Sequence, residues 1–177
     1  WSESTRRDSG VALRTRSPGT PPPFSTRSYD AAVAQLSDEN LIETIAERLA
    51  ETGRTLSVAE SLTCGRVAST LGSGPDTKTW LRGGVVAYQT EVKQRVLGVT
   101  PGPVVSARCA EELAVGVARL LESDISIATT GAGGPGPEEG EPEGTVFLGW
   151  SVDGVVGSER HDFDGEPAEI LDQTDRK

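Results

Sequence analysis

Short apolar runs of strand length alternate with helix-length amphipathic stretches through the middle of this chain, and that alternation leaves few ways to fold. Residues 55–59, 83–88 and 125–129 read as strands, and the spacing between them predicts helices over residues 63–71, 90–97 and 106–121. The last is the clearest: Ser106 caps it, Glu111 and Glu112 sit early, and Leu113, Val117, Leu120 and Leu121 share a face. An earlier helix starts at Ser37-Asp38, carries Leu41, Ile42, Ile45, Ala46 and Leu49 on one side, and ends near Gly53. Residues 144–152 and 155–163 flank Asp153-Gly154, a strong hairpin signal, and one more helix begins at 168–172. Strands alternating with helices, followed by a hairpin, imply an α/β fold with a mixed sheet layered by helices. The composition of residues 83–88 further suggests a strand buried on both faces.

A chain of 177 residues supports one domain with a substantial core. Residues 1–28 are rich in Ser, Thr, Arg, Gly and Pro and carry five arginines against two acids, so residues 1–36 read as a flexible or extended basic arm before a domain over 37–177. The whole chain has a net charge of −10. That opposes nonspecific binding to nucleic acid or anionic membrane, which depends on Lys and Arg neutralising phosphates. No apolar run approaches a membrane span, and no apolar h-region marks a secretory signal. Cys64 and Cys109 form neither a metal-type spacing nor a disulfide framework, which fits a reducing cytoplasm.

Three segments carry the chemistry. Glu60-Ser61-Leu62-Thr63-Cys64-Gly65 lies where a strand runs into a helix, so a serine hydroxyl there stands beside unpaired backbone N–H groups suited to an anion or oxyanion. Lys93 follows an apolar strand at the start of a helix, where burial and the helix dipole lower an amine's pKa enough to deprotonate a serine. An exposed lysine paired with Glu91 is the equal alternative. The third segment, residues 130–136, is a glycine-rich loop leaving a strand, with room for a ribose, a phosphate or a carboxamide. It is no P-loop, because no Gly-Lys-Ser/Thr follows. The acidic run 138–143 beside it reads as a solvated loop. Glu60 either orients Ser61 or Lys93, or is a plain charge at a helix start; Cys64 is a weaker rival nucleophile. His161, the chain's one histidine, reads as an edge or core residue of its strand rather than a catalytic base.

Taken together these blocks resemble the C-terminal domain of the competence-damage-inducible (CinA) family, whose stand-alone members include nicotinamide-nucleotide amidase. The resemblance spans about residues 38–171 and rests on residues 59–65, 83–88 with Glu91 and Lys93, 97–99, 105–106, 130–135, 144–146 and 161–165. It implies a three-layer α/β/α sandwich that hydrolyses the carboxamide of nicotinamide mononucleotide to nicotinate mononucleotide and ammonia, without metal or cofactor. Ser61 then corresponds to the nucleophile and Lys93 to the general base. Backbone N–H groups of Thr63, Cys64 and Gly65 face the oxyanion, and Tyr88, Thr130 and Gly131 shape the substrate pocket. Family members commonly associate, which suggests a homo-oligomer. This chain departs from the family's pattern at Leu62 and Cys64, at Gln89 and Thr90, and at Gly165-Glu166-Pro167, where the family usually reads Gly-Asp-Arg. Those departures keep two rivals in view: an amidase for another small carboxamide, and a silent protein that binds nucleotide or a partner.

Overall fold

The computed structural model describes residues 37–177, so the expected basic arm lies outside the described residues. Helix α1 (Asp38–Thr52) is capped by the Ser37 side chain and closed by Gly53. Strand β1 (Leu56–Glu60) follows, then α2 (Arg66–Gly72), a short α3 (Thr77–Trp80) and β2 (Leu81–Val86). Helices α4 (Thr90–Leu97) and α5 (Ala107–Leu121) lead into β3 (Ile125–Gly131), and β4 (Thr145–Val152), β5 (Val155–Asp162) and α6 (Pro167–Arg176) complete the chain.

The five strands form one mixed sheet in the order β2-β1-β3-β4-β5. Strand β1 pairs parallel with both β2 and β3, whereas β3–β4 and β4–β5 are antiparallel. The hairpin turns at Asp153 (φ 50) and Gly154 (φ 84). Two successive left-handed residues give the type I′ geometry whose twist matches the strands, which is why an Asp-Gly pair stands there.

Alternation along β1 assigns the two faces. Leu56 and Val58 pack with Ala46, Leu49, Val67, Leu71 and Trp80 from α1, α2 and α3. Ala59 points the other way and joins Ala128, Leu97, Leu113 and Val117, beneath α4 and α5. Helix α6 covers β4 on the α1 side through Ile170, Leu62 and Val146. Helices therefore clothe both faces, giving the expected three-layer α/β/α sandwich. Close approach sets the spacing of the α5 layer: a Cβ at Gly116 would stand 2.2 Å from the Leu97 carbonyl oxygen.

Four details differ from the sequence reading. The strand expected at 83–88 runs over Leu81–Val86 and lies at the sheet edge, with alternate residues exposed rather than both faces buried. The turn of helix at Thr77–Trp80 was not foreseen; it is pinned by Trp80 Nε1 donating to the Pro75 carbonyl at 2.9 Å. The helix expected from residue 63 starts at Arg66, for a reason that belongs to the site. The final helix runs on to Arg176, started by a capping box between Glu166 and Glu169 with Pro167 in its first turn.

Candidate active site

In a sheet where the first strand has parallel neighbours reached in opposite directions, the carboxyl ends of those strands open a crevice that loops can line. Ser61 continues β1 past its end, its N–H donating to the Thr129 carbonyl at 3.0 Å. Ala87 continues β2, its N–H donating to the Glu60 carbonyl at 2.8 Å, and Tyr88 follows. The glycine loop leaves the same end of β3. A cavity of about 360 Å³ opens there, with Ser61, Tyr88, Lys93, Thr130 and Gly131 all in its wall. That volume lies within the usual range of small-molecule sites.

Glu60 shapes the serine turn. Its side chain is 1% exposed, and its carboxylate accepts three backbone hydrogen bonds: from Gly65 (2.9 Å) and Val67 (3.1 Å) at Oε2, and from Ala68 (2.8 Å) at Oε1. An acid at a helix start satisfies the orphan amides and meets the positive end of the dipole. Because those amides are drawn to Glu60, residues 61–65 form a tight turn and regular helix begins only at Arg66. Cys64 (φ 48) and Gly65 (φ 97) take left-handed conformations to make that turn. Glu60 therefore acts on the helix start, and among the described residues its side chain bonds to neither Ser61 nor Lys93.

The expected oxyanion set divides accordingly. The Gly65 amide is committed to Glu60, and the Cys64 amide donates to the Ser61 carbonyl at 3.2 Å. Neither residue lines the cavity, and the Cys64 side chain is exposed. Thr63 is fully buried, its hydroxyl 2.8 Å from that of Thr129, tying the turn to β3. Among the described residues the amides of Leu62 and Thr63 have no hydrogen-bond partner, and Leu62 stands in the cavity wall.

Lys93 is the notable charge. It is 2% exposed, and its Nζ donates to the Tyr88 carbonyl at 2.8 Å. Burial pushes its pKa below the ordinary lysine value, opposed by the nearby carboxylates of Glu138 and Glu139. The alternative of an exposed lysine paired with Glu91 is thus excluded. Among the described residues no hydrogen bond joins Nζ to Ser61. The Thr130 hydroxyl donates to the Val104 carbonyl at 2.7 Å, which fixes the β3 end against the segment before α5. Beside it the buried Cys109 thiol is pushed up to about 11, chiefly by burial, and stays protonated.

Sequence reading missed much of the rest of the wall. Thr90, Val104, Pro137, Glu138, Pro167 and Leu171 also line the cavity, beside Gly133, Gly134, Pro135 and Gly136 of the expected glycine loop. The acidic run is a largely solvent-exposed loop, as expected, and specific bonds also pin it in place. Glu139 accepts from the Val104 and Val105 amides, Glu143 accepts from the Gly136 amide at 2.8 Å, and Glu141 pairs with Arg160 at 2.9 Å. Helix α6 reaches the cavity through Pro167 and Leu171 because Arg66 clamps it with Asp172 and Asp175. His161 stands off the cavity on β5, opposite Val146 and stacked on Phe163 with ring centroids 5.4 Å apart. Among the described residues no cluster of His, Cys, Asp or Glu is arranged to hold a metal, and no helix is long and apolar enough to cross a membrane.

Comparison with known proteins places this architecture. A solved CinA superfamily protein from Escherichia coli superposes with a TM-score of 0.77 at 34% identity, covering 79% of this chain and 85% of that one. The competence damage-inducible protein A from Klebsiella pneumoniae gives 0.77 at 33% identity, covering 80% and 91%. A relative in Geobacillus sp. (strain WCH70), which bears a competence-damage inducible protein name, is 43% identical over 121 residues, or 66% of this chain. The chain spans about 30% of the length of that relative and of similar ones in Listeria monocytogenes. Residues 38–177 match the model of the CinA C-terminal domain, and the chain belongs to that family.

Proposed function

We propose that this domain is a Ser/Lys amidohydrolase that removes the carboxamide nitrogen of a nicotinamide nucleotide, with nicotinamide mononucleotide as the leading substrate. One observation carries the reading: Ser61 and a buried, pKa-lowered Lys93 open into the same cavity from the ends of adjacent parallel strands. A serine is a weak nucleophile until a base takes its proton, and a buried amine is a competent base near neutral pH.

The steps follow from that pair. Neutral Lys93 accepts the Ser61 proton as Oγ adds to the carboxamide carbon, and the oxygen of the tetrahedral adduct becomes anionic. The Leu62 amide, directly after the nucleophile and free of other bonds among the described residues, is the backbone donor proposed for it. Collapse breaks the C–N bond, and Lys93 returns the proton to the departing nitrogen, which leaves as ammonia. Water then adds to the acyl-enzyme with Lys93 again as base, releasing the carboxylate and restoring Ser61. Substrate binding has to bring Ser61 within one water or less of Lys93 Nζ; catalytic hydrogen bonds are often long before substrate arrives.

The test is ammonia release from nicotinamide mononucleotide by the intact protein, by Ser61→Ala and by Lys93→Ala. Activity lost in both variants, with unchanged circular dichroism, supports the dyad. Undiminished activity in Ser61→Ala removes the proposed nucleophile.

A further inference from the structure

We infer that Glu139 is a positioning residue for the proposed base: its carboxylate clasps the acidic loop to the segment before α5, and so holds in place both a wall of the cavity and a negative charge that acts on Lys93. The consequence for turnover rests on the Ser/Lys reading above; the clasp itself does not.

The turn that carries Glu139 is tight. Glu138 and Glu141 exchange backbone bonds at 3.1 and 2.9 Å, and the two residues between them, Glu139 (φ 52) and Gly140 (φ 87), are both left-handed. Asn, Asp and Gly are the residues that take the first position of such a turn most readily, and a glutamate is costlier there. Its longer side chain reaches across to the neighbouring segment. Oε2 accepts from the Val104 amide at 2.5 Å and from the Val105 amide at 2.9 Å. Among the described residues these are the only hydrogen bonds between residues 132–143 and residues 99–106.

Both sides of the clasp line the cavity: Val104 on one side, residues 133–138 on the other. Val104 is also held from β3, its carbonyl accepting from the Thr130 hydroxyl at 2.7 Å. On the far flank of the turn Glu141 pairs with Arg160 at 2.9 Å. An otherwise exposed loop is thereby tied to the body at two points, and the Glu139 tie is the one that reaches the cavity wall.

The charge follows from the same placement. Lys93 is buried with its Nζ on the Tyr88 carbonyl, and Glu91 on its own helix is exposed. The groups that act on it from other elements are the Cys109 thiol of α5, which stays protonated, and the carboxylates of Glu138 and Glu139. Burial alone makes an amine a weak base, and a carboxylate nearby restores part of its basicity. A base works best with its pKa near the working pH, so that restoration serves the proton transfer. Both glutamates are exposed and their charges are screened, which keeps the effect of each modest. Glu139 differs in that two bonds fix its carboxylate in place.

Two variants of the full chain separate the clasp from the charge. Both bonds fall on one oxygen, so Glu139→Gln keeps the clasp and removes the charge. Glu139→Gly removes the clasp as well, at a left-handed position that glycine adopts freely. Ammonia release from nicotinamide mononucleotide is followed across pH, and Lys93 is titrated separately through its side-chain NMR signals, assigned by their loss in Lys93→Met. In Glu139→Gln the Lys93 pKa and the acid limb of kcat/KM should both fall by about half a unit, which makes the variant about threefold faster than the parent on that limb, with KM unchanged. A merely damaged site would not gain rate in acid. In Glu139→Gly amide exchange at Val104 and Val105 should quicken by about tenfold and KM should rise by about fivefold, changes absent from Glu139→Gln. Parent-like exchange in Glu139→Gly overturns the clasp, and an unmoved Lys93 titration in Glu139→Gln overturns the role of the charge. A shifted Lys93 titration without ammonia release by the unmutated protein would instead refute the hydrolase reading and leave the placement of Glu139 intact.

Discussion

Glu60 offers the sharpest test of how the serine turn is held. Its carboxylate is almost fully buried and takes three amide donors, two on Oε2 and one on Oε1. Glu60→Gln keeps the shape but offers one acceptor oxygen. Placed toward Gly65 and Val67, that oxygen leaves the side-chain NH₂ facing the Ala68 amide, donor against donor. An unsatisfied buried donor costs about 1–3 kcal/mol, and losing the charge from the other two bonds removes about 0.5 kcal/mol or more each. The sum is about 3 kcal/mol, a large share of the roughly 5–15 kcal/mol that holds a domain folded. Urea unfolding followed by circular dichroism reads this directly. With a slope of about 1.5 kcal/mol per molar, the midpoint should fall by about 2 M with no change in slope. Glu60→Asp, one methylene short of the amides, should fall nearly as far. A Glu60→Gln midpoint within about 0.3 M of the parent would refute the claim that these three bonds hold the start of α2 and the turn bearing Ser61.

Two further outcomes follow from the same structure. Lys93 is buried with its pKa depressed, so folding carries a cost that is complete below its folded pKa and fades as pH rises toward the ordinary value of 10.5, where the unfolded lysine also gives up its proton. Lys93→Met should therefore be inactive yet more stable by about 1 kcal/mol near neutral pH, and the gain should shrink on alkaline titration; a variant less stable at pH 7 would contradict this. Arg66 ties α2 to Asp172 and Asp175, and these groups are partly exposed, so Arg66→Ala should cost only about 1–2 kcal/mol. Its larger effect should be faster amide exchange along α6 and a raised KM with little change in kcat, because α6 brings Pro167 and Leu171 to the cavity; unchanged exchange in α6 would show that the clamp is idle.

What could be read before the fold was known follows how far each signal reaches along the chain. Helix α5 was legible because its cap at Ser106 and its apolar face through Leu113 and Val117 lie within one element. The β4–β5 hairpin was legible because Asp153-Gly154 states its own turn geometry. Ser61 and Lys93 could each be singled out, since each stands at a strand-to-helix junction. Their shared cavity needed the parallel register of β1 with β2, which pairs Glu60 with Val86 and sets the two junctions side by side. The edge position of β2 was hidden for the same reason: the apolar residues 83–88 say nothing about how many neighbours the strand has.

Glu60 and the acidic run show why charged residues were the hardest to assign. A carboxylate bonded five to eight residues downstream leaves no period in the sequence, and a glutamate beside a strand end looks the same whether it caps a helix or faces a ligand. Only the partner decides. Glu60 is bonded to amides, Glu139 and Glu143 likewise, Glu141 pairs with Arg160, and the exposed Glu138 acts through its charge on buried Lys93. Buried or committed carboxylates explain how the loops are built. Glu138, by contrast, lines the cavity and opposes the burial that lowers the pKa of Lys93. The carboxylates around Lys93 thus bear on how readily it gives up its proton, and so on the base that the proposed chemistry requires.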